Sequence, residues 1–595
     1  MKRLLLWCIR LSLLLVLGAL ATPFLVPLDR FRPQLEHQLS QLSGRHVRLG
    51  ALRLEILPQP ALHAQAVSFW GHSAAQNSPA ISRGELYVQR LALYPDMGRL
   101  LFERRLVLRH IALQGIAVNE ALLRELVQRL RAQPAMPSGE NSAWGLESLA
   151  ADPMTIRLQS GQVLGPYRMR LHLHPDNRLQ EIDLARKDGS LQLHLEPRDR
   201  GFALTLKAAR WTLPLPPHLQ FDSLHAAGLL TAQGLSLDHV QARAYGGRIE
   251  GQARLQWRDD WRLDARLRSS GVHMAPIIRL FGGSGFRGDF HGDLEIRLQS
   301  PDAAGIFRSP LVQGPFRITH GVVGSDPTRP LLVFQSFAAR GRLDRAGIDT
   351  WDNLLQAYEG RATSAHLRLR WQPQWRLEGA VEVADMDSEA LLAGLLEQRA
   401  LAGRLSGQTR LALAGDTFQA LFLRPHLQAR IHLQEGRFYR ADLEKAGSSL
   451  GRESAGETRF QDLHARIRMA GGRTQVEELR LGSRALQATG AFQVDESGNL
   501  SGHLDVGLKH TGFLTSIPLV VSGHRDEPHL RPSKAVLLGG VAGSGLWGPG
   551  IGTALGIKLG ETVEKFTRLL HRNSNDPRDA ANPAGSGDTS ATGTQ

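Results

Sequence analysis

Glycine-rich stretches beside arginine are the first places in this sequence where chemistry could occur. The clearest example runs from Tyr245 to Gly251 and reads YGGRIEG. Such a loop can cradle a phosphate, because glycine lets backbone N–H groups approach a ligand closely. A glycine pair can equally mark a bend or bulge at the start of a strand. The surroundings of the stretch must therefore decide between a ligand loop and a structural turn.

The motifs of common enzyme classes do not occur in the sequence. It contains no HExxH, no Walker-type phosphate loop and no GxSxG, and its single cysteine, Cys8, excludes paired thiols. The acidic pairs Asp259/Asp260 and Asp385/Asp387 are more typical of turns than of acid–base catalysis. We therefore predict that the chain is not an enzyme and has no catalytic residue.

The 23 histidines are the other residues that could do chemistry. Most lie on the polar positions of alternating segments, where solvated strand positions explain them. Examples are His172, His174, His194 and His432. We predict no metal site and no cofactor.

The charge of the chain is strongly basic, with 71 Lys and Arg against 57 Asp and Glu, a formal net charge of +14. A nucleic-acid interface would cluster these charges with aromatic residues. Here single arginines alternate with apolar residues throughout the chain, so no nucleic-acid partner is expected. Two alternatives stay open, a solvated polar face and a face that meets anionic lipid head groups.

Alternation of apolar and polar residues predicts the elements that position these side chains. Segments such as ARLQW, LEIRL, LRLRW and ARIHL have one aliphatic face and one charged face. Stretches such as HPDN, WRDDW, WQPQW and DESGN separate them, as hairpin turns would. The pattern predicts a large antiparallel sheet with one apolar face. Within the sheet region, short helices are expected at about 32–42, 119–131, 274–281 and 388–397.

An internal repeat places YGGRIEG in a larger unit. Tyr245 is followed by an alternating strand, Trp257 and Trp261, and the same order follows Tyr358, with Trp371 and Trp375. Further glycines match at offsets of 113 to 115 residues, among them Gly288 with Gly403 and Gly321 with Gly436. The second copy reads YEGRATS and lacks two of the three glycines, which argues against a phosphate loop. A weaker third copy is expected near Gly482.

The two ends of the chain differ from this sheet pattern. Residues 4–26 are apolar except for Arg10, follow Lys2 and Arg3, and are long enough to cross a bilayer. A cleaved signal peptide ending near Ala21 is the alternative to an uncleaved anchor. Near the other end, a glycine zipper suits close helix packing at a membrane or groove, and a flexible linker is the alternative. The zipper residues are Gly548, Gly552, Gly556 and Gly560.

The chain resembles the AsmA family of bacterial envelope proteins. The resemblance rests on the basic-start anchor, the Ser43-Gly44-Arg45 sequence before a strand, the segment LRLEILPQPALHAQAVSF, and the YGG-R-x-x-G and Trp-x-Leu strands. It implies a mainly β fold, with an elongated, curled antiparallel sheet of repeated units that forms an apolar groove. A few short helices and an N-terminal transmembrane helix complete the expected fold.

The resemblance also implies a function. We expect a protein anchored in the inner membrane with its bulk in the periplasm, which carries or scaffolds phospholipid for outer-membrane assembly and lipid homeostasis. Its partners would be membrane phospholipids, and also the outer membrane or its proteins. The alternative is an assembly factor that binds outer-membrane proteins at an exposed sheet edge.

Twelve apolar residues on the alternating strands are candidates for lining the groove, and an ordinary dry core is the alternative for them. The candidates are Leu255, Trp257, Leu294, Ile296, Leu298, Leu367, Leu369, Trp371, Leu411, Leu413, Ile431 and Leu433.

The chain divides by sequence into eight regions. In order, these are an anchor, an AsmA-like β region with short helices, a variable β region, two β repeats, a partial third repeat, a glycine-rich apolar segment with an amphipathic helix, and a disordered tail. Their expected bounds are 1–28, 29–135, 136–234, 235–345, 346–445, 446–533, 534–572 and 573–595.

Overall fold

The fold is taken from a computed structural model, which describes most residues between Arg32 and Ser533. Within that span the description omits 34–35, 38–39, 41–45, 56–58, 71–85, 103–105, 120–143, 158–160, 162, 175–177, 200, 215–216, 258–259, 303–304, 325–329, 395–398, 419, 423, 450 and 510–515. The predicted anchor, nearly all of the predicted helix at 119–131, the glycine zipper and the tail lie outside the described residues.

The chain is mainly β and forms two compact units, which are described separately. The first comprises Met1–Ala357 and Ser364–Pro373, and the second comprises Tyr358–Thr363 and Gln374–Gln595. The described residues contain 28 strands. This agrees with the predicted mainly β class with few helices.

The first unit contains eighteen strands and the end of a nineteenth. They are β1 (His46–Arg48), β2 (Leu52–Glu55), β3 (Ala61–Trp70), β4 (Leu86–Pro95), β5 (Leu106–Asn119), β6 (Trp144–Arg157), β7 (Val163–Leu173), β8 (Leu179–Arg186), β9 (Leu191–Arg198), β10 (Gly201–Thr212), β11 (Gln220–Thr231), β12 (Gly234–Ala244), β13 (Gly247–Trp257), β14 (Trp261–His273), β15 (Phe286–Ser300), β16 (Pro310–Val323), β17 (Leu332–Leu343), β18 (Gly347–Ala357) and β19 (Gly360–Arg370).

The second unit contains the start of β19 and nine further strands. They are β20 (Trp375–Asp387), β21 (Leu401–Gly415), β22 (Leu427–Phe438), β23 (Thr458–Ala470), β24 (Arg473–Gly482), β25 (Leu486–Val494), β26 (Leu500–Leu508), β27 (Ser516–His524) and β28 (Glu527–Pro532).

Helices are few and short in the described residues. They are α1 (Met97–Phe102), α2 (Met274–Leu280), α3 (Ser388–Ala393), a 3-10 turn at Ala420–Phe422, and α4 (Leu443–Ser448). The expected helices at 274–281 and 388–397 are therefore present, although the second is described only to Ala393. Arg32, Glu36 and Ser40 are also helical, as expected for 32–42. No helix in the described part of the chain combines the length and apolarity needed to cross a bilayer.

Strand pairing within each unit follows the order of the chain. From β7 to β18, and again from β20 to β28, each strand pairs antiparallel with the next. One pair departs from the predicted antiparallel rule, since β5 and β6 run parallel, with Leu106 opposite Trp144. Parallel neighbours need a crossover connection, and the sequence patterns of the two strands do not reveal their direction.

The predicted repeat is visible in the strand boundaries. We call Gly234–Val323 (β12 to β16) copy one and Gly347–Phe438 (β18 to β22) copy two. The first strands start at Gly234 and Gly347, 113 residues apart, and the last strands end at Val323 and Phe438, 115 residues apart. Each copy runs strand, strand, strand, short helix, strand, strand. Beyond them, the expected third copy has strands β25 and β26 but joins β24 to β25 through Ser483–Ala485.

The YGGRIEG stretch is a tight turn followed by a strand. Tyr245 and Gly246 have φ values of 52° and 79° and separate paired residues Ala244 and Gly247. In copy two, Tyr358 and Glu359 have φ values of 48° and 60°. Two consecutive positive φ angles between paired strands are typical of a type I′ hairpin turn. The predicted bend at Gly246-Gly247 is thus one residue too late, and Gly247 already belongs to β13.

Two large hydrophobic cores lie on the apolar side of the strands. In the first unit, β1 to β11 bury residues such as Val67 and Val88, which are 0% and 1% exposed. In the second unit, β22 to β28 and α4 bury Leu433, Ala446 and Val506, all at 0%. Alternation along each strand supplies these side chains, because every second residue faces the same side.

Candidate functional site

The apolar face of copy one is a part of the predicted lining that stays accessible. Leu255 pairs with Leu263, Leu263 with Leu298, and Ile296 lies between Ala265 and Val312 in register. These rows form a continuous aliphatic surface across β13 to β16. Leu255, Leu294 and Ile296 are half-buried, whereas the corresponding positions of the two cores are closed. The surface therefore has aliphatic groups that the chain itself covers only in part.

The structure places the twelve lining candidates in two environments. Three are buried, namely Leu298 at 3%, Leu413 at 4% and Leu433 at 0% exposed. Leu433 belongs to the closed core of the second unit, so it does not face an accessible surface. The other nine are half-buried, namely Leu255, Trp257, Leu294, Ile296, Leu367, Leu369, Trp371, Leu411 and Ile431.

A loop residue closes one end of the apolar face in each copy. Ile306, between β15 and β16, is 4% exposed, and Leu421, between β21 and β22, is 0% exposed. They are 115 residues apart, so they occupy matching positions. In copy two, Phe418 from the same loop packs edge-on against Trp375, with 5.4 Å between ring centroids. Sequence analysis did not single out Ile306 or Leu421, because several other apolar residues accompany each of them in its loop.

The two tryptophans among the lining candidates also have a structural task. The indole N–H of Trp257 donates to the carbonyl of Ala232 at 3.0 Å, and that of Trp371 donates to the carbonyl of Arg345 at 2.9 Å. Both carbonyls belong to the hairpin turn that precedes the copy. Each tryptophan therefore fixes a turn with its polar edge. Because the rest of the ring is apolar, it still extends the apolar face.

A polar notch interrupts the apolar face in copy two. We define the notch as Thr350, Asn353 and Ser364, which are 6%, 5% and 7% exposed. The amide nitrogen of Asn353 donates to the carbonyls of Thr350 at 3.2 Å and Ser364 at 3.1 Å. The side-chain oxygen of Asn353 is buried and has no hydrogen-bond partner among the residues that the structure describes. Sequence reasoning missed the notch because these residues fall inside strands that otherwise alternate.

The carbonyl of Leu367, one of the lining candidates, adjoins this notch. It accepts a hydrogen bond from the Thr350 hydroxyl at 3.4 Å. Leu367 and Leu369 therefore continue the apolar face directly beside buried polar groups.

The polar side of copy one holds a cavity of about 1140 Å³. Its charged lining is largely paired, since Arg268 lies 2.6 Å from Asp293 and Arg266 lies 3.5 Å from Glu295. The hydrogen bond that Arg268 donates to Asp293 raises the pKa of the Arg268 guanidinium. Because these charges already neutralise one another, the cavity offers no strong field for a charged ligand.

Histidine and carboxylate groups converge at two places on the polar side of the described strands. One group is His172, Glu181 and Asp183, and the other is His432, Asp462 and His464. In each, the possible ligand atoms lie within 4.8 Å of one another. Sequence reasoning did not anticipate either group, because the partners come from separate strands.

Comparison with known proteins does not assign this chain. No model of a known protein family matches it, and no curated protein is similar to it in sequence.

Proposed function

We propose that the chain is an inner-membrane-anchored periplasmic protein of the AsmA type that carries phospholipid along the apolar face of a curled sheet. The observation that carries the proposal is the half-exposed aliphatic surface of β13 to β16. The proposal assigns the protein no catalysis, since acyl chains need only an apolar track.

The energetics favour an apolar occupant for this surface. Keeping an acyl chain from water is worth about 0.8 kcal/mol per methylene group. The side chains of Leu255, Leu294 and Ile296 are also partly exposed to water. A lipid that covers them therefore removes apolar surface of both the acyl chain and the protein from water. In the two hydrophobic cores, strands with the same alternating pattern have their aliphatic side chains buried by the chain itself.

The arginines on the polar face of these strands suit a lipid with an anionic head group. Arginines alternate with the aliphatic residues along β13 and β14, for example at Arg254 and Arg262. In a curled sheet their guanidinium groups would meet phosphate at the open edge, where charge-assisted hydrogen bonds are strong.

The alternative, an assembly factor that binds other proteins by strand addition, fits the sheet edges less well. At β1, the N–H groups of Val47 and Leu49 already donate to Ser40 Oγ and Glu36 Oε1, at 2.9 and 2.8 Å. At the other end of the described strands, β28 is six residues long and contains Pro528 and Pro532. Short, proline-bearing or covered edges discourage strand addition.

Site-specific photocrosslinking tests the proposal. A photoreactive phenylalanine analogue is placed at Leu294 and, separately, at Leu369, and the full chain is irradiated in intact cells. We expect phospholipid adducts at both positions, detected by mass spectrometry of the purified protein.

The matched control is the same analogue at Arg297, which lies on β15 beside Ile296 but is exposed on the polar side. Lipid adducts at Leu294 and Leu369, and none at Arg297, would support lipid carriage. Adducts exclusively with unfolded outer-membrane proteins would favour the assembly factor. Absence of lipid at both lining positions would refute the proposal.

A further inference from the structure

A second candidate site lies on the polar side of the first unit and does not depend on lipid carriage. His172 of β7 is opposite Glu181 of β8, and Asp183 of β8 is opposite His194 of β9. Because alternate residues of a strand share a face, all four side chains project from the same side of three adjacent strands. All four are half-buried. The pairing register therefore fixes their proximity.

The geometry of three of these side chains suits a divalent metal ion. The ligand atoms of His172, Glu181 and Asp183 lie within 4.8 Å of one another. A tetrahedral zinc ion bound at about 2.0–2.2 Å holds its ligand atoms roughly 3.3–3.6 Å apart. Side-chain rotations that move these atoms by about 1 Å would bring them to the separations found around zinc. Half-buried side chains can make such rotations.

His194 holds one of the carboxylates in place. Its Nδ1 lies 2.8 Å from Asp183 Oδ1, and its Nε2 lies 3.3 Å from Glu196 Oε1. The His194 ring contacts Asp183 through Oδ1, which leaves the Oδ2 atom of that carboxylate available to a metal. Such outer hydrogen bonds commonly orient metal ligands.

The local charge balance favours a cation. Glu181, Asp183 and Glu196 place three carboxylates on the adjacent strands β8 and β9. Arg198 lies 3.3 Å from Glu196 and neutralises that carboxylate. Arg170 is opposite Asp183 across the β7–β8 pair and is a cation that would compete with a metal.

The other histidine–carboxylate cluster has a less favourable balance. His432 and His464 stack with 4.1 Å between ring centroids, and His432 lies 3.2 Å from Asp462. Arginines lie on the register positions around its histidines, since Arg430 pairs with Arg466 and His464 pairs with Arg480. A cation would be repelled there, so this cluster serves as an internal control.

We propose that His172, Glu181 and Asp183 form a binding site for a zinc-type divalent transition-metal ion, with a fourth coordination position open to water. One imidazole nitrogen and two carboxylate oxygens suit zinc, and three protein ligands leave that position free.

Calorimetric titration of zinc into the tag-free, chelator-treated full chain tests the site. We expect saturable binding of one ion per chain. His172→Asn and Asp183→Asn should each weaken the affinity at least tenfold, whereas Arg170→Gln should tighten it. Cobalt titrated into the unmutated chain gives a second readout, because inner-sphere nitrogen and oxygen ligands intensify its visible absorption.

Two histidine variants are matched controls. His225→Asn removes an exposed histidine from β11, and His464→Asn disrupts the second cluster. Both should bind zinc as the unmutated chain does. The proposal is wrong if the unmutated chain shows no saturable zinc binding, if His172→Asn and Asp183→Asn bind undiminished, or if His464→Asn alone abolishes binding.

Discussion

Copy one and copy two share a backbone but differ in the side chains on both faces. In each copy, the carbonyl of the turn tyrosine accepts a hydrogen bond from the residue before the short helix. These bonds join His273 N to Tyr245 O at 3.0 Å and Asp387 N to Tyr358 O at 2.9 Å. The repeated turn, bulge and helix are therefore held by the same main-chain contacts. Side-chain identity is free to vary around them.

A glycine beneath a phenylalanine is a second shared feature. Gly321 is opposite Phe334 on the neighbouring strand, and Gly436 is opposite Phe460. Both phenylalanines are buried, at 5% and 4% exposed. The ring lies over the bare glycine backbone, an arrangement that pins strand register. The preceding residue has a positive φ in both copies, 52° at His320 and 48° at Glu435.

The apolar face is where the copies first diverge. Positions 237, 240 and 251 of copy one are Leu, Val and Gly, and the matching positions of copy two form the polar notch. Since the backbone is the same, the notch is a local change of chemistry on an unchanged scaffold. In the proposed function, an acyl chain could lie on copy one without interruption but would meet buried amide and hydroxyl groups in copy two.

The largest expected difference in stability between the copies concerns substitutions at Gly321 and Gly436. The three atoms nearest to a Cβ added at Gly321 all belong to the Phe334 ring, whereas those nearest to a Cβ at Gly436 include the carbonyl oxygen of Ala402 beside two atoms of the Phe460 ring. A ring can shift, but a paired backbone cannot. We expect Gly436→Ala to cost about 3 kcal/mol and Gly321→Ala about 1 kcal/mol in urea unfolding.

A second substitution, at the facing phenylalanine, distinguishes a clash with the ring from a clash with the backbone. Phe334→Leu should relieve most of the cost of Gly321→Ala, whereas Phe460→Leu should relieve only part of that of Gly436→Ala. Gly482→Ala is the control, because a Cβ there meets nothing within 4 Å. Equal costs at both glycines would show that the copies do not differ in backbone approach.

A smaller effect is expected at the polar notch. Asn353→Val leaves the carbonyls of Thr350 and Ser364 without the donor they now have, so we expect a loss of about 1–3 kcal/mol of unfolding free energy. The triple variant Thr350→Leu, Asn353→Val and Ser364→Gly installs the set found in copy one. It should recover to within about 1 kcal/mol of the unmutated chain, because the three residues then pack as an apolar group.

The same urea titration checks both variants. If the triple variant is as unstable as Asn353→Val, the notch is not equivalent to positions 237, 240 and 251, and the comparison fails at this point.

Sequence reasoning reached the alternation, the repeat and most turns because these depend on local periodicity. HPDN, WRDDW, WQPQW and DESGN do separate consecutive strands. It could not reach the parallel pairing of β5 with β6, because strand direction leaves no periodic signal. Nor could it reach the notch or the His172 cluster, since both depend on register between strands. Leu433 shows the same limit, because alternation cannot distinguish an open lining from a closed core.

The charged positions beside the short helices give the smallest expected difference between the copies. In copy one, Asp289 lies 2.6 Å from His273 Nδ1 and 3.1 Å from His320 Nδ1. The matching positions of copy two hold Asp387, Arg404 and Glu435. There the arginine instead pairs with Glu359 at 3.4 Å. In copy one, the carboxylate of Asp289 therefore lies between two imidazoles. In copy two, the guanidinium of Arg404 occupies the matching position.

This inversion predicts a pH response confined to copy one. The hydrogen bond from His273 lowers the pKa of Asp289 against desolvation, and His320 lowers it further. A carboxyl whose folded pKa is depressed contributes stability above its unfolded value of about 3.9, and loses it as the pH falls through the folded pKa. Asp289→Asn should therefore reduce the free energy of unfolding, measured by urea titration at pH 7, by under about 1 kcal/mol. It should have no effect once the pH is below the folded pKa.

In a His273→Asn/His320→Asn background the same substitution should have almost no effect on the free energy of unfolding at pH 7, because the partners that depress the pKa are gone. A full effect of Asp289→Asn in that background would mean that the two imidazoles do not stabilise the carboxylate, and that the charge inversion between the copies has no energetic consequence.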